Sequence, residues 1–271
     1  MNEEASRPPE GDWLGTRFLR FERRGSLAIV TVDRPHRRNA MTPSMYFGVR
    51  YAVDHVNRSD DLAGLLITGT GDVFIPGGDM AGEDETPWGE LSLLGMDLTP
   101  FETVRNSRKP VVSAVNGICQ GGGLLIAMLS DVAIASPEAT FRAPELLRGI
   151  ADTGYAQYLP GQIGIPRARD MLLTGRTIDA ATALEWGLIT RMTDSDDLLG
   201  EGLDVLTATT WAAPRARVTA KREINRQYGH YDRVSMEAGL LSEEFAEGFT
   251  AFKQRRVPNW IRDDLRPDGR L

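Results

Sequence analysis

Cross-linking and metal-binding residues are almost missing from this 271-residue sequence, which holds one cysteine and three histidines. Cys119 has no partner within the chain, so a disulfide scaffold is excluded and a reducing, cytoplasmic setting is expected. His36, His55 and His230 share no ligand spacing, which predicts no metal site and leaves each as a packing or surface residue. Lysine is equally scarce: only Lys109, Lys221 and Lys253 stand among the 31 basic residues, the rest being arginine. With 38 acidic residues the net charge is −7, which argues against a nucleic-acid binder, whose affinity rests on neutralising phosphates. The longest uninterrupted apolar run, residues 124–129, is far short of the roughly 20 needed to span a bilayer. Residues 1–11 are polar and acidic and lack the apolar stretch of a secretory signal, so neither export nor a membrane partner is expected.

Several catalytic signatures are missing too. Gly69-Thr70-Gly71 follows an apolar run, but Phe74 stands where a dinucleotide-binding loop needs its third glycine, and no helix opens there. No glycine-rich loop is followed by Gly-Lys-Ser/Thr, and Gly-x-Ser-x-Gly does not occur, which removes the phosphate loop and the serine-hydrolase elbow.

What is present is an ordinary globular composition, 41% hydrophobic and 25% charged, long enough to bury a full core. Residues 18–22 and 27–32, split by Arg24-Gly25-Ser26, predict a β-hairpin. Thr42-Pro43 supplies an N-cap and a first-turn proline for a helix to about Asn57. Strands are predicted at 65–68, 73–75, 111–115 and 131–135, with a helix ending at Arg108 and another opening at Leu124. Residues 81–98 mix Gly, Glu, Asp, Pro and Trp and predict a mobile loop. Helical periodicity follows at 168–173, 180–186, 198–212, 214–228 and 235–256. The chain thus divides into a strand-rich core over 1–190 and a helical region over 191–271, with no linker between them. The ββα units at 18–57, 65–107 and 111–129 form a weak repeat.

Two glycine turns and two acids carry the chemistry. Residues 74–79, Phe-Ile-Pro-Gly-Gly-Asp, end one strand, and residues 116–123, Asn-Gly-Ile-Cys-Gln-Gly-Gly-Gly, end another and begin a helix. Glycine allows close approach of a ligand to the backbone, and the first N–H groups of a helix lack internal partners. Two such donors aimed at one oxygen make an oxyanion hole, although tight packing alone also calls for such turns. Basic clusters at Arg34, Arg37 and Arg38 and at Arg255 and Arg256 suit either solvated surface or a small polyanionic ligand.

These motifs, taken in order, resemble the crotonase superfamily, the enoyl-CoA hydratase/isomerase group. The resemblance runs from about Phe18 to Trp260 through Val-Asp-Arg-Pro…Asn-Ala (32–40), Phe-x-x-Gly-x-Asp (74–79) and Lys-Pro-Val…Val-Asn-Gly…Gly-Gly-Gly (109–123). It continues through Ser-Asp-Val-Ala-Ile-Ala (130–135), Ala-Thr-Phe…Pro-Glu (139–145), Leu-Leu-Thr-Gly-Arg…Trp-Gly-Leu (172–188) and Glu-Gly…Ala-Phe (247–252). It implies an α/β fold, a crotonase-like spiral of ββα turns with a helical C-terminal trimerisation region, as a homotrimer or a hexamer of paired trimers. It also implies a coenzyme A thioester as substrate, with no separate cofactor, and a place in fatty acid metabolism. In this alignment the thioester oxygen would accept hydrogen bonds from the N–H groups of Gly78 and Gly122, with Gly77, Asp79 and Gly121 shaping the turns. Arg38, Asn39 and Ala40 would line the CoA groove and read adenine through backbone groups. Phe252 and Arg255 would approach the nucleotide end. The loop at 81–98, with Trp88 and Met96, would cap the acyl pocket.

Family hydratases carry two glutamates; the second aligns with Glu145 and the first with Leu125, which cannot activate water. Asp152, in a segment similar to the Ala-Asp-x-Gly of dienoyl-CoA isomerases, offers a second acid, unless it is only a helix N-cap. It also aligns with the nucleophilic aspartate of the 4-chlorobenzoyl-CoA dehalogenase branch, whose histidine base is absent from residues 81–98. Glu145 in turn would be a plain surface acid after Pro144 if it has no role. The leading expectation is a double-bond isomerase in which Glu145 and Asp152 shuttle a proton. The alternatives are a hydratase or lyase working despite Leu125, and a non-catalytic CoA-binding paralogue.

Overall fold

Apolar, β-branched runs become the interior of a six-stranded sheet in the computed structural model, which describes residues 13–79, 99–227 and 233–261. Strands β1 (Leu19–Arg24) and β2 (Leu27–Val32) pair antiparallel around Gly25, with Leu19 opposite Val32. Parallel to β2 run β3 (Gly64–Gly69), β5 (Val111–Val115), β7 (Val132–Ala135) and the short β10 (Arg191–Met192), giving the order β1-β2-β3-β5-β7-β10. All five residues of β5 are buried, as expected of a parallel strand covered on both faces. A second sheet joins the expected β4 (Val73–Ile75) to β6 (Ile118–Gln120), β8 (Thr140–Arg142) and β9 (Ile178–Asp179), three strands too short to announce themselves.

Helices cover the larger sheet. Helix α1 (Pro43–Arg58) starts where Thr42 Oγ1 accepts the Met45 N–H at 3.2 Å, as the Thr-Pro pair predicted. The short α2 (Phe101–Arg105) precedes β5, and α3 (Gly122–Leu129) follows β6. Downstream come α4 (Thr153–Ile163), α5 (Ile165–Thr174), α6 (Ala180–Trp186), α7 (Leu198–Thr210) and α8 (Pro214–Gln227). Leu198, Val205 and Leu206 of α7 pack with Ile29, Leu66, Val112, Ala114 and Ile134 to form one apolar cluster. A side chain at Gly202 would meet the Leu66 methyl at 2.7 Å, so Leu66 would have to shift to admit one. His55 packs among Trp13 and Phe21, and His36 against Phe18.

The helix expected over 235–256 is two helices, α9 (Arg233–Leu240) and α10 (Glu243–Gln254). Ser242 breaks the run: its hydroxyl accepts the Phe245 N–H at 3.1 Å and so caps a new helix. Helix α4 was not legible because its eleven residues include two glycines and Pro160. The expected loop at 81–98 and His230 lie outside the described residues.

The chain folds as two units. One comprises Met1–Phe141 with Ile178–Gln227, and the other Arg142–Thr177 with Tyr228–Leu271. The helices beyond residue 190 are therefore shared between units, α7 and α8 in the first and α9 and α10 in the second. Among the described residues no helix is long and apolar enough to cross a membrane.

Candidate active site

The first unit brings the two glycine turns side by side. Strands β4 and β6 run parallel, with Val73 opposite Ile118 and Ile75 opposite Cys119, so the turns that follow them leave the same end of the sheet. Gly77 has φ +108°, and a side chain there would lie 3.7 Å from the Gln120 carbonyl oxygen. Gly121, at φ +55° and ψ −136°, occupies a region essentially closed to other residues. Gly122 faces the Tyr46 hydroxyl and Gly123 the Ile75 carbonyl so closely that neither position has room for a Cβ.

Among the described residues, no backbone acceptor is found for the N–H groups of Gly78 and Gly122. Met41 bridges to Gly78 by donating to the Gly77 carbonyl at 2.9 Å and accepting from the Asp79 N–H at 2.8 Å. That pattern uses the neighbours of Gly78 and turns its own N–H to the other side. In α3 the first bond back into the turn is made by the Leu125 N–H to the Gly121 carbonyl at 3.2 Å, so Gly122 sits in the first turn, where helix N–H groups lack acceptors within the helix.

Arg34 holds this turn in place. Its guanidinium is fully buried, bonds the Ala40 carbonyl at 2.7 Å, and pairs with Asp79 at 2.7 Å, with its charge 5.1 Å above the Phe18 ring. The expected basic cluster is thereby corrected: Arg34 is a buried clamp, and only Arg37 and Arg38 reach the surface. Asp79 is committed to that clamp. Asn39, also buried, accepts from the Arg34 N–H at 3.0 Å and donates to the carbonyls of Thr70 at 3.0 Å and Val73 at 2.6 Å. Arg38 and Asn39 both have positive φ, which leaves Arg38 exposed and Ala40 half-buried. Leu125 is buried in α3.

The second unit holds the two acids together. Glu145 begins the 3₁₀ turn Leu146–Arg148, and Asp152 caps α4 by accepting the N–H groups of Gly154 at 2.9 Å and Tyr155 at 3.2 Å through Oδ1. Asp152 is therefore the N-cap that the sequence allowed, and it also lines a cavity of about 190 Å³. Glu145 lines the same cavity, whose apolar walls include Ala143, Leu146, Ala156 and Leu172. The Glu145 Oε2 atom is shut off from solvent and has no hydrogen-bond partner among the described residues. Burial, and then the neighbouring Asp152 charge, push the Glu145 carboxyl up to about 8. Burial lifts Asp152 less, to about 6, because the two capping N–H groups favour its ionised form. The two environments thus pull the proton affinities of the pair apart, Glu145 holding a proton more readily than Asp152.

Near the C-terminus Phe252 lies under the Arg148 guanidinium, 4.9 Å from ring centroid to carbon. Of the adjacent arginines, Arg256 is held by both oxygens of Glu247 at 2.6 and 2.8 Å, whereas Arg255 is exposed with φ +55°. Sequence reasoning missed Arg34 as a clamp, Tyr46 behind Gly122, and Arg148. Only the Arg-Pro pair after β2 hinted at the first. Cys119 is buried, and burial pushes its thiol well up. No group of three or more metal-ligating side chains occurs among the described residues.

The family model described as enoyl-CoA hydratase/isomerase matches residues 22–263. A probable enoyl-CoA hydratase of Mycobacterium bovis is 31% identical over 247 residues, covering 88% of this chain and 96% of that protein. An enoyl-CoA hydratase/isomerase from Pseudoalteromonas atlantica superposes with a TM-score of 0.76 at 28% identity, over 90% of this chain and all of the other. A monofunctional enoyl-CoA isomerase from Mycobacterium smegmatis gives 0.67 at 30% identity, over 84% of this chain and all of the other. With the family's fold and nearly its whole length matched, the chain belongs to the enoyl-CoA hydratase/isomerase family of the crotonase superfamily.

Proposed function

We propose that this enzyme shifts a double bond in an enoyl-CoA thioester, using Asp152 as base and Glu145 as acid. The observation that carries this reading is one apolar pocket with two carboxyl groups whose surroundings separate their proton affinities. In a 3-enoyl thioester the Asp152 carboxylate removes a proton from C2, and the electron pair moves onto the thioester oxygen. The N–H groups of Gly78 and Gly122 stabilise that charge, a role in which each donor contributes about 3–4 kcal/mol. As the enolate collapses, Glu145 delivers its proton to C4, and the double bond comes to lie between C2 and C3. Asp152 is then protonated and Glu145 ionised, so exchange with water resets the pair. Backbone groups of Arg38 and Ala40, with the Arg255 side chain, bind the CoA portion in this reading, and Asn39 acts by shaping that loop.

A second reading, hydration of a 2-enoyl thioester, is favoured by the hydratase names of relatives such as those from Mycobacterium bovis and Clostridium acetobutylicum. Leu125, where family hydratases carry a glutamate, weighs against it. Glu145→Gln separates a catalytic Glu145 from an incidental one. Turnover is expected to fall by about 10²-fold or more with acyl-CoA binding little changed. Full activity in that variant would overturn the assignment.

A further inference from the structure

Glu145 and Arg148 are three residues apart on one tight turn, yet among the described residues they make no ion pair. The Arg148 guanidinium instead lies over the Phe252 ring, and Glu145 Oε2 is left buried without a partner. The arrangement is imposed by α10, which lays one ridge, Glu244, Gly248 and Phe252 at spacings of four, along the turn. A side chain at Gly149 would strike the Glu244 carbonyl, and one at Gly248 would strike the Arg148 carbonyl. Helix and turn therefore meet backbone to backbone, and the next residue on the ridge is the ring beneath the guanidinium.

We infer that Phe252 is a positioning residue: by holding Arg148 on its ring it denies Glu145 a cationic partner and keeps it a proton donor. The inference rests on the proposed role of Glu145. A guanidinium is attracted to an aromatic face, and an aliphatic side chain of similar bulk offers no such attraction. The charged groups facing Glu145 are Asp152, Arg148 and Arg142. Arg142 is tethered through Nε to the Gly175 carbonyl at 2.6 Å, and Asp152 is fixed by its cap bonds. The charged residues of α10 (Glu243, Glu244, Glu247 and Lys253) and of α5 (Arg167, Arg169 and Asp170) are not among the groups that shift it most. Arg148 is thus the one neighbouring charge that a change at Phe252 sets free.

The test is a ¹³C NMR titration of the full chain labelled at glutamate Cδ, the Glu145 signal being the one lost in Glu145→Gln. The wild-type midpoint is expected well above the ordinary carboxylate range. In Phe252→Leu it should fall by about 1–3 pH units, the size expected when an arginine closes on a carboxylate. Phe252→Tyr, which keeps the ring, should keep the midpoint, and Phe252→Leu with Arg148→Met should restore it. An unchanged midpoint in Phe252→Leu, or an equal fall in the double variant, would overturn the inference. Because the readout needs no turnover, it is separate from the Glu145→Gln activity test. Full activity there with the midpoint shift intact would remove the catalytic reading and leave the control by Phe252 standing.

Discussion

A carboxyl group that loses water at an oxygen with no hydrogen bond to replace it costs free energy whenever it is charged, and Glu145 is in that position at Oε2. Its raised proton affinity is also a statement about folding. Between the ordinary range near 4.5 and about 8 the native chain binds a proton that the unfolded chain releases. The stabilisation is therefore complete below the unfolded value and is lost as pH rises through the folded one. Urea denaturation should show wild-type stability declining from about pH 5 to pH 8 more steeply than that of Glu145→Gln, which carries no titrating carboxyl. Equal slopes would mean that Glu145 ionises normally in the native state. The motif alone pointed to Glu145. Its isolation from Arg148 was not legible, because it depends on a helix almost a hundred residues downstream.

Between elements, the decisive interaction is the buried clamp from Arg34 to Asp79, joining the turn after β2 to the turn after β4. Removing one partner of a buried ion pair strands the other, at a cost of about 3–5 kcal/mol. Arg34→Met is expected to lose stability of that order in urea melts, whereas Arg38→Met, at an exposed position, should lose little. Comparable losses would show that the clamp is not holding the turn. The sequence made α1, α6, α7 and the main strands readable through their caps and apolar periods. It hid β6, β8 and β9, which are two or three residues long and exist only by pairing. It also hid the break at Ser242, because the apolar spacing on either side runs on as though unbroken.

Across the whole molecule, family and fold were legible because ordered motifs extend over nearly the full length, and the match to residues 22–263 agrees with them. Which reaction the chain performs was less so, because it turns on one substituted position, Leu125, and on an acid, Asp152, that also serves as a cap. Hydration and isomerisation share the enolate and differ in where the second hydrogen goes. Proton NMR of the enzyme with 3-enoyl- and 2-enoyl-CoA in D₂O follows that hydrogen directly. The two-carboxylate shuttle gives migration of the double bond with deuterium entering at C4, and no 3-hydroxyacyl product. A 3-hydroxyacyl-CoA product, or a carbon skeleton that takes up no deuterium from either substrate, would contradict it.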